Sequence, residues 1–174
     1  MKGIMKDAAI LCVITLIAGF ALGLVHEVTL EPIAAAQLAA NTATYQEVYP
    51  DAAGFQISDE LQSAVDSCGE EISSQGYGNV TVDAAQEALD ADGNVIGYLI
   101  TSTSTDGYNG TIQVATGITA EGQITGIGFL SISETPGLGM NAENPEFKDQ
   151  FAGKSLQTFE VTKTSPSADN QIAA

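Results

Sequence analysis

The stretch Ser133–Met140, SETPGLGM, holds the residues of this sequence best suited to binding a polar ligand. Pro136 fixes its own φ, whereas Gly137 and Gly139 allow backbone angles and close approaches that a side chain would prevent. Backbone N–H groups exposed in such a turn, together with a threonine hydroxyl, can donate hydrogen bonds to an anion or to the polar edge of a cofactor. A tight connection without a ligand is the alternative interpretation.

The few reactive side chains disfavour hydrolytic and metal chemistry. The chain has one histidine, His26, and two cysteines, Cys12 and Cys68. Because His26 directly follows an apolar N-terminal segment, the rest of the chain cannot form a Ser-His or Cys-His pair, and neither cysteine has metal-ligand spacing. We therefore expect no catalytic residue and no metal site. We predict that both cysteines pack as small apolar residues, and for Cys12 a place near a partner's cofactor is the alternative.

Four predicted strands lead into the glycine-rich stretch. The β-rich runs lie at residues 81–89, 94–104, 111–119 and 123–132. ADGNVIG (91–97) and AEGQITG (120–126) share an acidic-Gly pattern that is typical of hairpin turns, and STDGYNG (104–110) is predicted to form a wider turn between the two hairpins. No crossover helix separates these runs, so the sheet is predicted to be antiparallel, with parallel βαβ units disfavoured.

Two helices are predicted beside the sheet. The first is capped by Ser58 and ended by Gly69, with Cys68 on its apolar face, and EEISSQGYGN after it is predicted to be loop. The second, NPEFKDQFAG, has Asn144 as N-cap, Pro145 at its first position and Gly153 past its end. The sequence therefore predicts an α+β fold with a mainly antiparallel sheet and flanking helices.

The N-terminal residues 8–25, AAILCVITLIAGFALGLV, contain no charge. As a helix they would extend about 27 Å, enough to cross the hydrocarbon core of a membrane. Lys2 and Lys6 precede the segment, so we predict that residues 1–7 are cytoplasmic and that most of the chain lies outside. Small residues in PIAAAQLAA leave a cleaved signal peptide as the alternative, although the apolar run is longer than the usual signal region.

Residues 26–50 are predicted to form a helical connector, with a helix that begins at Pro32 and ends before Pro50. Residues 51–174 are predicted to form one extracytoplasmic domain, since the chain is too short for two ordinary domains. We expect a membrane protein with a single span.

The charge of the chain is strongly negative. Its 22 acidic residues oppose five lysines, with no arginine, for a net charge of −17. Without residues 1–26, 21 acids and three lysines remain, a net of −18. Nucleic acid and anionic lipid surfaces are poor partners for such a domain. A solvated acidic surface is the simplest explanation, and weak calcium binding is less favoured because EF-hand spacing is absent.

Three segments are distinctive when taken together: GYNGTIQVATGITAEGQITGIGFLSISETPGLG, the apolar segment followed by TLEPI, and FKDQFAGKSL. In this combination they resemble the RnfG family, the FMN-binding component of the Rnf complex, which is related to NqrC of the sodium-translocating NADH:quinone reductase. The resemblance implies an FMN-binding domain outside the membrane, in a complex that passes electrons between reduced ferredoxin and NAD and translocates an ion. It also implies that the other Rnf subunits are partners, that residues 8–25 contact lipid, and that the chain has no independent catalytic activity.

The resemblance places the flavin beside two segments of the chain. These contain Tyr108, Asn109, Gly110, Glu134, Thr135, Pro136, Gly137, Leu138 and Gly139. Backbone N–H groups and the Thr135 hydroxyl would bind polar edges of the cofactor, and Leu138 would cover an apolar face. The alternatives are that Tyr108 packs across its turn and that Glu134 is a solvated turn residue.

In the family, FMN is attached through its phosphate to the last threonine of a Ser/Thr-Gly-Ala-Thr motif near the C-terminus. Residues 1–174 contain no such motif, and Thr158, Thr162 and Thr164 lack the Gly-Ala context, so none of them is assigned. We expect the attachment threonine just beyond Ala174. Covalent attachment suits a domain without arginine, because so negative a domain repels a dissociable phosphate.

Two other functions are compatible with the sequence. The first is a membrane-tethered acidic binding or adhesion module without a cofactor. The second, ranked last, is transfer of flavin to other proteins, which requires a metal site and a nucleotide site that these residues do not supply.

Overall fold

The structure is a computed structural model that describes residues 2–174, without the side chains of residues 2, 4, 5, 7–9, 24, 27, 28 and 30–39. It divides into two units, Met1–Ala40 and Asn41–Ala174. The elements are α1 (Lys2–Val48), β1 (Gly54–Gln56), α2 (Asp59–Ser74), β2 (Val80–Leu89), β3 (Val95–Gly107), β4 (Gly110–Thr119), β5 (Ile124–Ser131), a 3₁₀ helix (Gly139–Glu143), α3 (Pro145–Lys148), β6 (Glu160–Thr162) and β7 (Gln171–Ala173).

Strands β1 to β5 form one antiparallel sheet in which every strand lies beside its neighbour in the sequence. The four predicted strands and their antiparallel pairing are confirmed. Both acidic-Gly turns form hairpins, because Gly93 and Gly122 adopt left-handed φ values of 83° and 82° that residues with side chains rarely reach. The mixed α and β composition with an antiparallel sheet agrees with the predicted fold class.

The turn between β3 and β4 is tighter than predicted. Gly107 pairs with Gly110, so only Tyr108 and Asn109 form the turn, and the expected wide STDGYNG loop is wrong. The physical reason is a long-range contact: the Asp106 carboxylate accepts hydrogen bonds from the backbone N–H and the side-chain amide of Asn79, both at 2.7 Å. These bonds hold the end of β3 in the sheet.

Helix α2 begins as predicted but ends later. The backbone N–H of Leu61 donates to the Ser58 hydroxyl at 3.4 Å, which confirms the N-cap. The predicted end at Gly69 is wrong, and the first part of the predicted loop is helical. Gly76, with a φ of 76°, provides the left-handed residue just past the C-cap Gln75, so it ends the helix in place of Gly69.

Cys68 is half-buried, so the prediction of a core cysteine is only partly met. Its thiol donates to the carbonyl of Val65 at 3.1 Å. The side chains of Leu61, Val65 and Ile72 on the same helix are also half-buried. Helix α2 packs against β2, and solvent still reaches part of this apolar face.

Helix α1 is continuous through the predicted membrane segment 8–25 and into the predicted connector 26–50. The prediction that it ends before Pro50 is confirmed, whereas Pro32 lies inside the helix and does not begin it. Three side chains of the segment 8–25 and twelve of the segment 26–50 lie outside the described residues. Among the residues that are described, no helix has an apolar stretch long enough for a membrane span.

The last turn of α1 forms the core with one face of the sheet. Val48 is buried with Leu99 and Ala115, and the hydroxyl of Thr125 donates to the Val48 carbonyl at 2.7 Å. Glycine is required where the helix approaches most closely: a Cβ atom on Gly128 would lie 2.6 Å from the Thr44 methyl and 2.8 Å from a Val48 methyl. The end of α1 can therefore pack closely against the sheet because Gly128 has no side chain.

Replacing Gly128 with alanine should lower the free energy of unfolding by about 1–3 kcal/mol, because the added methyl overpacks the contact with α1. Urea denaturation followed by tyrosine fluorescence would measure the loss, since the chain has no tryptophan. Gly54→Ala is the matched control, because a Cβ there has no neighbour within 4 Å. Equal effects of the two substitutions would show that the contact with α1 does not require glycine.

The segment after the sheet is less helical than predicted. α3 covers only Pro145–Lys148, and Asn144 precedes it without a capping hydrogen bond from its side chain. The chain then continues in tight turns to Gly153, whose φ is 77°. Phe151 stabilises these turns by stacking edge-on against Phe147 and Phe159, with ring centroids 5.6 and 5.2 Å apart.

Strands β6 and β7 form a separate parallel pair that the sequence did not predict. Three residues from each strand are paired, from Glu160 with Gln171 to Thr162 with Ala173. The pair brings the C-terminal residues back beside the segment that follows β5.

Candidate functional site

A cleft of about 1150 Å³ lies between the glycine-rich stretch with α3 and the segments that flank β6 and β7. Its lining residues are Gly137, Leu138, Gly139, Asn141, Ala142, Asn144, Glu146, Phe147, Gln150, Lys163, Thr164, Ser165, Pro166, Ala173 and Ala174. Small-molecule pockets commonly enclose about 300–1,000 Å³, so the cleft is large enough for a nucleotide-sized ligand. Apolar and polar groups both line it, as such a ligand requires.

The first wall is a turn held by its own backbone. The N–H groups of Leu138 and Met140 both donate to the Thr135 carbonyl, at 3.0 and 3.3 Å. Gly137 permits this turn through its left-handed φ of 75°, and its carbonyl accepts a hydrogen bond from the Asn141 side chain at 3.1 Å. The turn presents Leu138, which is 72% exposed, as an apolar side chain at the cleft.

The second wall is joined to the first by one glutamine. The Gln150 amide donates to the Ala173 carbonyl at 3.1 Å, and the Ala173 N–H donates to the Gln150 side-chain oxygen at 2.7 Å. Ala174 in turn donates its N–H to the Thr162 carbonyl at 3.0 Å. These bonds set the C-terminal strand against the segment after α3 and fix the width of the cleft between them.

Lys163 supplies the positive charge of the cleft. Among the side chains that line the cleft, that of Lys163 is the only cation and that of Glu146 is the only carboxylate. The other lysines of residues 41–174 are paired, Lys148 with Glu47 at 2.6 Å and Lys154 with Asp169 at 3.4 Å. A negatively charged group in the cleft would therefore meet its cation on the wall that follows β6.

The predicted site residues fall into two groups. Gly137, Leu138 and Gly139 line the cleft, and Thr135 and Pro136 form the turn that leads into it. Glu134, Tyr108, Asn109 and Gly110 do not line it.

The second group is nevertheless joined to the glycine-rich stretch. The Asn109 side chain donates to the Ser133 carbonyl at 2.7 Å, and its backbone N–H donates to the Glu134 carboxylate at 3.2 Å. Glu134 also packs against Gly139, where a Cβ atom would lie 2.6 Å from the Cβ of Glu134. Tyr108, 92% exposed, lies at the tip of the turn. The β3–β4 turn thus contacts the start of the glycine-rich stretch and helps to hold it in place.

Asp106 helps to hold the same turn. The hydrogen bonds from the side chain and then the backbone of Asn79 stabilise its carboxylate and lower the pKa of Asp106 below the ordinary value. The group is therefore charged at neutral pH, and the bonds to Asn79 persist there.

Several lining residues were missed by the sequence analysis, among them Asn141, Gln150, Lys163 and Ser165. One of these residues, Lys163, could have been proposed as a site residue from the sequence. Lys163 is one of only five lysines in a chain of 22 acids, and such a scarce cation is a reasonable candidate for an anion contact.

A second cavity, of about 370 Å³, lies on the sheet beside the start of α2. Leu61, Tyr98, Ile100, Ile118 and Leu156 line much of it. Its lining is almost entirely apolar, so it offers few partners for the phosphate and polar edges of a nucleotide.

Comparison with known proteins places the chain in a family. The G subunit of the Na⁺-translocating ferredoxin:NAD⁺ oxidoreductase complex of Acetobacterium woodii is 37% identical over 180 residues, which cover 99% of this chain and 82% of that protein. The chain belongs to the RnfG family. This chain is also 29% identical over 169 residues to the G subunit of an ion-translocating oxidoreductase complex of Methanosarcina acetivorans, with 97% of this chain and 83% of that protein covered.

Residues 107–174 of this chain match the family model of the FMN-binding domain. Both walls of the cleft lie within the matched region. The crystal structure of Shewanella oneidensis NqrC aligns with 52% of this chain and 45% of that chain, at a TM-score of 0.43 and 15% identity.

Replacing Asn109 with alanine should lower the free energy of unfolding by about 1 kcal/mol, because the side-chain bond to Ser133 is lost. Thermal unfolding followed by circular dichroism would measure the change. Tyr108→Ala, one residue away and in a fully exposed position, should leave the midpoint unchanged. If Tyr108→Ala destabilises as much as Asn109→Ala, the link between the turn and the glycine-rich stretch is not the cause.

Proposed function

We propose that this chain is the electron-transfer subunit of an Rnf-type complex and that it carries electrons through an FMN held in the cleft. The observation that carries the proposal is the match of residues 107–174 to the FMN-binding domain family, because this region contains both walls of the cleft. The relatives named as G subunits of ferredoxin:NAD⁺ and ion-translocating oxidoreductase complexes support the same role. The other subunits of such a complex are its partners.

The residues of the cleft suit a flavin nucleotide. Leu138 and Phe147 offer apolar surface for a planar ring, and the amide side chains of Asn141 and Asn144 offer donors and acceptors for its polar edge. FMN itself supplies the redox chemistry, and the protein contributes binding, orientation and the local charge. The chain needs no catalytic side chain for this role.

The β3–β4 turn and Glu134 take a supporting part in the proposed site. Asn109 fixes the carbonyl of Ser133 and the carboxylate of Glu134, and the glycine-rich stretch begins directly after them. We place Gly137, Leu138 and Gly139 in contact with the cofactor. Tyr108 and Gly110 complete the turn and do not line the cleft.

We further propose that the FMN is attached by a phosphoester to a threonine that follows Ala174. Ala173 and Ala174 line the cleft, so a threonine shortly after them would lie at its edge. Three acids and two lysines lie in residues 1–40, which leaves 19 acids against three lysines in residues 41–174, a net of −16. A covalent bond retains a phosphate that this charge would otherwise repel.

For the N-terminal unit we propose a single membrane span at residues 8–25, with residues 1–7 in the cytoplasm, 26–50 as connector and the remaining chain outside. The uncharged segment in the sequence supports this topology. The large apolar side chains that the structure describes there, such as Ile14, Phe20 and Leu22, are exposed and suited to lipid. A tethered binding module without a cofactor is not favoured, because the domain matches a cofactor-binding family.

Mass spectrometry of the native, full-length protein tests the function and the attachment separately. We expect the mass of FMN on one threonine peptide C-terminal to Ala174, and flavin fluorescence that migrates with the denatured polypeptide. Flavin that binds the folded protein but is released on denaturation would refute the covalent bond and retain the function. A colourless native protein without flavin on any peptide would refute both.

A further inference from the structure

Lys163 differs from the other lysines of residues 41–174 in having no carboxylate partner. The side chains of Lys148 and Lys154 are only 15% and 18% exposed, and each is held in an ion pair. Lys163 is exposed and makes no ion pair within the described part of the chain. Its ammonium group is therefore available to a ligand in the cleft that it lines.

The surroundings of Lys163 favour one kind of ligand group. The hydroxyl-bearing residues Thr164 and Ser165 follow it directly on the same wall, and hydroxyl groups can donate to the same oxygen atoms as an ammonium group. A phosphate ester, with several strong acceptors and a negative charge, satisfies such a cluster better than a neutral polar edge does. Glu146 lies on the opposite wall, where its carboxylate repels an anion and so favours the Lys163 side.

The negative net charge of residues 41–174 makes a free lysine important for binding an anion. Residues 41–174 have a net charge of −16, which disfavours the approach of an anion. An unpaired ammonium group beside the anion offsets part of this repulsion, and its attraction is stronger where water is partly excluded. Lys163 also lies next to the C-terminal strand, because Ala174 donates its N–H to the carbonyl of Thr162.

We propose that Lys163 binds the phosphate group of the flavin nucleotide in the cleft. The proposal rests on the proposed function of the cleft and names the wall to which the phosphate is directed. In this arrangement the phosphate lies beside Ala174, and the ring extends toward Leu138 on the opposite wall. Lys163 acts as a positioning residue that selects a phosphorylated flavin over its neutral counterpart.

The test compares FMN with riboflavin, which differs from it only in lacking the phosphate. Residues 1–174 contain no attachment motif, so the binding of both flavins to this chain can be titrated as an equilibrium by fluorescence anisotropy. We expect Lys163→Gln to weaken FMN binding about fivefold, the effect of losing one exposed ion pair, and to leave riboflavin binding unchanged. Lys163→Arg should retain the affinity for FMN.

Lys154→Gln is the matched control, because it removes one lysine charge from the same unit but outside the cleft. Unchanged riboflavin binding shows that the Lys163 variant is folded. Two results would overturn the role of Lys163 and leave the flavin cleft in place. In the first, Lys163→Gln weakens the binding of FMN and of riboflavin equally. In the second, Lys163→Gln and Lys154→Gln weaken FMN binding equally. A chain of residues 1–174 that binds neither flavin would also overturn the role of Lys163, whereas a native, full-length protein without flavin is the result that would overturn the proposed function.

Discussion

The pairing of Gln150 with the backbone of Ala173 is the interaction on which the cleft depends. The Gln150 side chain both donates a hydrogen bond to β7 and accepts one from it. β7 pairs with β6 on its other side, so Gln150 takes the position that a second neighbouring strand would occupy. Because the two hydrogen bonds are partly buried, neither group can exchange its partner for water without cost. The cleft has a defined width because these bonds join its two walls.

The remaining contacts place that cleft on a rigid support. The sheet is anchored by the end of α1, which approaches β5 closely because Gly128 has no side chain. The first wall follows directly from the last strand of this sheet, and Asn109 holds its beginning against the β3–β4 turn. A cofactor in the cleft would thus sit on a turn whose position is set by packing. Its phosphate would meet Lys163 in a domain where other positive charge is scarce.

Features governed by neighbouring residues were predictable from the sequence. The hairpin turns follow from glycines at positions that need a positive φ, and the N-cap of α2 follows from Ser58. The end of α2 was mispredicted because Gly69 is tolerated inside a helix with an apolar face, whereas Gly76 occupies the left-handed position. The tight turn after β3 depends on Asn79, which lies 27 residues from Asp106 in the sequence, so local patterns did not reveal it.

In the candidate site, too, local features were predictable from the sequence and long-range ones were not. Its first wall could be predicted because proline and two glycines lie within four consecutive residues. The second wall depends on a three-residue parallel pair whose strands are too short to give a periodic signal. The role of this wall in forming the cleft could be recognised only from the structure.

Hydrogen–deuterium exchange of the 174-residue chain with and without FMN tests most directly whether the cleft holds the flavin. We expect slower exchange on FMN addition in residues 137–150 and 163–174, the two walls of the cleft, and no change around Leu61 and Tyr98 in the apolar cavity. Protection confined to that cavity, with none in the two walls, would contradict the assignment of the cleft.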